Sequence, residues 1–155
     1  MNSQPNRNKA WHYLAVIAAV LLVGIWPVRY LASPKWNVWV TLTDGTPVQS
    51  INVQLVYQNY STEDKDHEIT LTTDAQGHVQ FAAQYQRACF LQTALYTLLA
   101  ARAFVHASFG RHAYVFAYAD GYESTVVTAG FTDWSGNPAT MQSRIAATKT
   151  AARSQ

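Results

Sequence analysis

The stretch Trp36-Asn-Val-Trp-Val-Thr-Leu-Thr-Asp-Gly-Thr-Pro-Val-Gln-Ser-Ile-Asn-Val-Gln-Leu-Val-Tyr-Gln58 decides how this chain is read. Trp36, Val38, Val40 and Leu42 alternate with Asn37, Trp39, Thr41 and Thr43. Ile51, Val53, Leu55 and Tyr57 then alternate with Asn52, Gln54, Val56 and Gln58. A period of two sends successive side chains to opposite faces of a strand. Asp44-Gly45-Thr46-Pro47 between the runs is turn chemistry. The stretch therefore predicts two strands, each with one face in a core.

The same pattern continues outward. Polar residues Asn59 to Asp66 predict a loop, and Ile69, Leu71 and Thr73 a third strand. Asp74-Ala75-Gln76-Gly77 predicts a turn, with Val79 and Phe81 opening a fourth strand. His112 to Ala119 and Tyr122 to Thr128 are expected to pair around Asp120-Gly121, and a last strand runs near Met141 to Thr148. About seven short strands in one domain predict a mainly β, two-sheet sandwich.

Gln84 to Phe109 breaks the alternation. Ala and Leu dominate it, and Gly110 is a natural stop, so a helix is expected over about 84–109. Gln92, Tyr96, Arg102 and His106 form a narrow polar stripe, with Leu91, Leu95, Leu98 and Leu99 expected on the other side. The helix packs on a sheet, docks on a membrane or partner, or spans a membrane. A span would separate the strands before it from those after it and leave unpaired edges. Packing on one sheet is therefore the expectation.

Ala10 to Val28 is a run of nineteen positions without Asp, Glu, Lys or Arg. As a helix it measures roughly 28 Å, close to a ~30 Å hydrocarbon core. Trp11 and Tyr13 at one end and Trp26 and Tyr30 at the other are candidate membrane-interface anchors. Of eleven Lys and Arg, four (Arg7, Lys9, Arg29, Lys35) precede Trp36, and all nine acidic residues follow it. The basic balance thus belongs to the flanks of the apolar run, and nucleic acid is not an expected partner. Arg7 and Lys9 place the amino terminus in the cytoplasm. Cleavage after Ala32 or Ser33 would put Tyr30 or Leu31 at the −3 position, a poor signal-peptidase site. An uncleaved anchor is favoured over a cleaved signal and over a buried helix. The expected organisation is a cytoplasmic segment 1–9, a transmembrane signal-anchor 10–30, a linker 31–35, a sandwich 36–149 and a tail 150–155.

Cys89 is the single cysteine, so no intrachain disulfide forms. An exported domain without disulfides fits a bacterial envelope, with the chain crossing the inner membrane once and the domain in the periplasm or outside the cell. Asn59-Tyr60-Ser61 matches a glycosylation acceptor, a pattern common by chance. His106 and His112 flank Gly110, but Cys89 lies over four helical turns from His106, too few ligands for zinc. Glu63-Asp64-Lys65-Asp66-His67-Glu68 matches no calcium-loop spacing and reads as a solvated hairpin tip. No nucleophile elbow is present. No metal, cofactor or catalytic residue is expected. Tyr114, Phe116 and Tyr118 share one face of a strand whose other face is Ala113, Val115 and Ala117. Burial in the core is the simpler expectation for these rings. An open aromatic face would be a candidate binding surface for a glycan or protein.

Val40 to Leu55 resembles the opening of a carboxypeptidase regulatory-like domain, a family of the transthyretin-like sandwiches. The D-G-x-P turn at Asp44–Pro47, the element Thr73-Asp-Ala-Gln-Gly-His-Val-Gln-Phe81 and the turn Tyr118-Ala-Asp-Gly-Tyr-Glu123 carry the likeness. The resemblance implies a seven-stranded Greek-key sandwich and a scaffold or recognition role, and it transfers no active site. The ureide hydrolases of the same superfold carry an Arg-Gly pair and a Tyr-Arg-Gly-Ser ending; here Gly110 precedes Arg111 and the chain ends Ala151-Ala-Arg-Ser-Gln155. The chain thus reads as a membrane-anchored envelope protein displaying a non-catalytic binding or structural module. The alternatives are a subunit of a membrane or surface assembly, and a small hydrolase using His106 and His112.

Overall fold

Alternation with strong β-formers builds two four-stranded sheets with one core between them. The computed structural model describes residues 7–102, 108–119, 122–124, 127–129 and 140–149. The elements are α1 (Arg7–Ile25), β1 (Val28–Ser33), β2 (Lys35–Leu42), β3 (Asn52–Asn59), β4 (His67–Thr72), β5 (His78–Phe81), β6 (Gln84–Ala88), α2 (Phe90–Ala101), β7 (Arg111–Tyr118), β8 (Tyr122–Ser124), β9 (Val127–Ala129) and β10 (Thr140–Lys149). One sheet runs β5-β2-β10-β8, the other β4-β3-β7-β9, and β1 and β6 form a separate ribbon. β2 and β10 pair in parallel; the other strand pairs are antiparallel.

The core is the apolar phase of each alternation. Trp36, Val38, Val40, Val53, Leu55, Val115, Ile145 and Ala147 are all 0% exposed. Trp36 is the largest of them, and its indole N–H donates to Ser143 Oγ at 2.8 Å. That bond satisfies the one polar atom the ring brings inside and ties the first sandwich strand to the last.

The two turns that open and close this sandwich meet. At Asp44–Pro47, Oδ1 of Asp44 accepts the Thr46 amide at 2.9 Å, which holds the Asp44 carboxyl below the usual range. At Asp74–Gly77, Oδ1 of Asp74 accepts the amides of Gln76 and His78 at 2.9 and 2.8 Å. Gly77 has φ +67°, and its carbonyl accepts the Val40 amide at 2.8 Å. A Cβ there would lie 2.4 Å from the Val40 carbonyl oxygen and 3.0 Å from the Val48 nitrogen. Buried Thr73 completes the seam. Its hydroxyl donates to the Val48 carbonyl at 2.7 Å and accepts the Ile51 amide at 3.1 Å.

Several expectations are corrected. The apolar helix stops at Ile25, where Pro27 removes a donor and Val28–Ser33 turns to strand, so residues 28–33 are neither anchor nor linker. Among the described residues, no helix is long and apolar enough to cross a membrane. Residues 84–88 are strand: Tyr85 and Arg87 point out while Gln86 and Ala88 turn inward, a period of two hidden beside the Leu-rich run that follows. The chain has ten strands among the described residues, not seven. Residues 122–128 do not form one strand paired with β7. β8 crosses to pair with β10, and β9 alone pairs with β7. The segments 103–107, 120–121 and 150–155 lie outside the described residues, and so do residues 1–6.

The Leu-rich helix does not pack on a sheet. No side chain of α2 is buried, and Leu95 and Leu98 are 55% and 69% exposed. Arg102 follows Leu91 by eleven residues, about three turns, and so shares the leucines' azimuth instead of opposing it. α2 instead starts against the last turn of α1, where a Cβ on Gly24 would lie 3.1 Å from Leu91 Cγ.

A stability comparison tests the seam between the turns. Gly77→Ala puts a methyl group against backbone at positive φ and should cost at least about 2 kcal/mol. Gly45→Ala, at φ +87° with open space around it, should cost only about 1 kcal/mol. Urea melts of the full chain in detergent measure both.

Candidate binding face

β7 alternates small and aromatic residues, and β3 fixes which set points inward. Ala113, Val115 and Ala117 pair with Tyr57, Leu55 and Val53, and all six are in the core. A strand cannot bury both phases here. His112, Tyr114, Phe116 and Tyr118 therefore stand on the outer face of the sheet. The expectation that these rings fill the core is corrected: the small-residue face took that place.

The rings form a continuous ladder. Centroids are 5.8 Å apart between His112 and Tyr114, 6.1 Å between Tyr114 and Phe116, and 5.9 Å between Phe116 and Tyr118. Tyr60 extends it beyond His112 at 6.3 Å. Tyr114 and Phe116 are half-buried by their neighbours, and Tyr118 is 43% exposed. Beside the ladder, β3 places Gln58, Gln54 and Asn52 opposite His112, Phe116 and Tyr118. Gln54 Nε2 donates to Glu68 Oε2 at 2.6 Å, and Thr72 Oγ1 donates to Asn52 Oδ1 at 3.3 Å. The face thus sets apolar rings along a row of carboxamides that donate and accept. Next to Tyr60 and His112 a small groove opens, lined also by Gln58 and Asp66.

The other expected positions lie elsewhere. Trp11, Tyr13 and Trp26 are about 70% exposed at the two ends of α1. Tyr30 belongs to β1 and is half-buried; its hydroxyl donates to Gln86 Oε1 at 2.6 Å and lies 3.0 Å from Thr62 Oγ1. Gln86 and His67 both reach Glu63 Oε2, at 3.2 and 2.8 Å, so the acidic hairpin tip is bound to the ribbon through Glu63. Nearby Tyr57 is pushed above the usual tyrosine range, by burial first and by Glu63 second. Asn59 is buried and its Oδ1 accepts the Ser61 amide at 3.1 Å, so the glycosylation triplet is folded into a turn. Cys89 caps α2, its Sγ accepting the Gln92 amide at 3.3 Å. His106 lies outside the described residues. An open, mostly apolar cleft of about 440 Å³ separates the ribbon from the end of β3, between Tyr30, Thr62, Phe90 and Arg111. Arg111 donates to the Leu31 carbonyl at 3.0 Å, and burial lowers its pKa.

Sequence reasoning missed Tyr60, His112 and the three carboxamides as members of the face. The carboxamides had a signal in the period of β3 and His112 in that of β7, but only the register of β3 on β7 joins them to the rings.

No family model matches the chain, and no curated protein matches it. Solved structures do. One is the 3-chlorocatechol 1,2-dioxygenase of Rhodococcus opacus 1CP, at 13% identity and TM-score 0.47, covering 83% of this chain and 64% of that one. Another is a mutant of the catechol 1,2-dioxygenase of Acinetobacter radioresistens, at 15% identity and TM-score 0.43, covering 81% and 54%. A 9R-lipoxygenase of Cyanothece PCC8801 is similar at 7% identity and TM-score 0.37, covering 84% and 20%. The chain spans less than two thirds of each. These similar structures are enzymes, and the expectation of a non-catalytic chain is corrected on that finding. At these identities and TM-scores no substrate, activity or residue role is carried over to this chain.

The orientation of β7 has a direct consequence for stability. Val115→Ala opens a hole in a filled core and should cost about 2–3 kcal/mol. Tyr118→Ala removes a ring from the surface and should stay within about 1 kcal/mol. A reversed ranking in urea melts would mean that the rings face the core.

Proposed function

We propose that this chain is a membrane-anchored envelope protein whose β-sandwich binds glycan through the ladder from Tyr60 to Tyr118. The observation that carries the reading is the open row of rings edged by Asn52, Gln54 and Gln58. A sugar presents an apolar face of C–H groups and a rim of hydroxyls. Rings take the face, and carboxamides take the rim as donors and acceptors at once. The described part of α1 is not by itself long and apolar enough to cross a membrane; what supports the anchor is its surface. From Trp11 to Ile25 every residue but Gly24 is exposed, and Leu14 to Ile25 is aliphatic apart from that glycine. Such a surface is costly in water and suits lipid. The sandwich is proposed to be of the transthyretin-like kind. Support comes from the Asp44–Pro47 and Asp74–Gly77 turns of the carboxypeptidase regulatory-like pattern, which meet where Gly77 lies against Val40, Val48 and Pro47.

The test is binding of the full chain, held in lipid nanodiscs, to purified bacterial cell-wall glycan by co-sedimentation. Phe116→Ala with Tyr118→Ala should weaken binding roughly tenfold or more, as loss of a central aromatic anchor does. Unchanged binding, or binding lost equally in Trp39→Ala on the other sheet, would contradict the reading.

A further inference from the structure

α1 and α2 both join the sandwich at one end of the β1–β6 ribbon, where Gly24 meets Leu91. The last ribbon pair is Val28 with Ala88, three residues after α1 ends and two before α2 begins. One step back, Arg29 stands directly opposite Arg87. Like charges opposite each other in a strand pair repel. The Arg29 guanidinium lies 4.0 Å over the ring of Tyr85, and among the described residues neither arginine has an ion pair with a carboxylate. An anion between the two would turn a repulsion into a pair of charge-assisted bonds.

α2 has two unlike sides. Gln92 reaches back to the Thr62 carbonyl at 2.7 Å, and Thr93 lines the cleft, so the polar side holds the sandwich. Leu91, Leu95, Leu98 and Leu99 form a stripe 41–69% exposed, and Phe90 is 73% exposed. The stripe is continuous with the aliphatic surface of α1 through Gly24 and Leu91. Arg102 closes its far end and is exposed. A helix of twelve residues is about 18 Å long and cannot cross ~30 Å of hydrocarbon. Lying in the head-group plane, it keeps Arg102, Arg29 and Arg87 all at the level of the phosphates while the leucines enter the acyl region.

We infer that α2 is a second membrane contact, lying in the leaflet that faces the sandwich, with Arg29 and Arg87 gripping the phosphates of anionic lipids where α1 enters. This rests on the reading of α1 as a membrane anchor. The arrangement fixes the sandwich at a set height and tilt, which a single helix does not.

Spin labels measure depth. In the full chain with Cys89→Ser, which keeps a good cap, Leu98→Cys carries a nitroxide and Val20→Cys reports the anchor. Vesicles are phosphatidylcholine with or without phosphatidylglycerol, and accessibility to oxygen and to a nickel chelate is read by power saturation. Both labels should favour oxygen in anionic vesicles. Leu98 should lose that preference when Arg29→Gln and Arg87→Gln are combined, with the bound population falling roughly fivefold per arginine. Val20 in lipid with Leu98 in water, whatever the lipid, overturns this inference alone. Both labels in water overturn the anchor as well. Dipolar broadening at Leu98 would give the stripe to a second copy of the chain and also overturn the inference, and so would a Leu98 depth indifferent to lipid charge.

Discussion

The pairing of β3 with β7 is the constraint on which the account depends. A strand has two faces, and a slip of one residue exchanges them completely. With Val115 opposite Leu55, the small residues of β7 meet the other sheet and the rings go outside. The reverse would bring Tyr114, Phe116 and Tyr118 into a core already filled by Trp36, Phe81 and Ile145. Volume therefore decides the register, because interiors are packed close to crystal density. The aromatic ladder is a consequence of that choice and needs no separate cause.

A second constraint holds the sandwich closed at one end. Gly77, Val40, Val48 and Thr73 share a few ångströms in which every backbone group has a partner. The opposite end is built around the ribbon. There Tyr30, Gln86, Glu63 and His67 form one chain of hydrogen bonds from the base of α1 to the β3–β4 hairpin. The apolar helices thus leave from an end stiffened by polar contacts, while the aromatic ladder lies on the outer sheet face. Binding and anchoring would then use different surfaces of one rigid body.

Much of the fold was legible in the sequence. The period of two in Trp36–Leu42 and Ile51–Gln58, and the turns at Asp44 and Asp74, carried β2, β3 and their partners directly, because alternation and turn chemistry are local. The ribbon was not legible. Val28–Ser33 follows a long apolar run, Gln84–Ala88 precedes another, and each strand is defined only by the other. The split of residues 122–129 between two sheets was hidden for the same reason: crossing is a tertiary event with no local mark. Of the site, the three ring positions were legible, and their outward direction was not. That direction needed the volumes of Trp36 and Ile145 on the far side of the core.

The most direct measurement is ring accessibility by photochemically induced nuclear polarisation, with a flavin dye and the full chain in micelles. Tyr118 should be polarised, identified by loss of its signal in Tyr118→Phe, and Trp36 should be silent. A polarised Trp36 with a silent Tyr118 would mean that β7 is turned the other way and that no aromatic binding face exists.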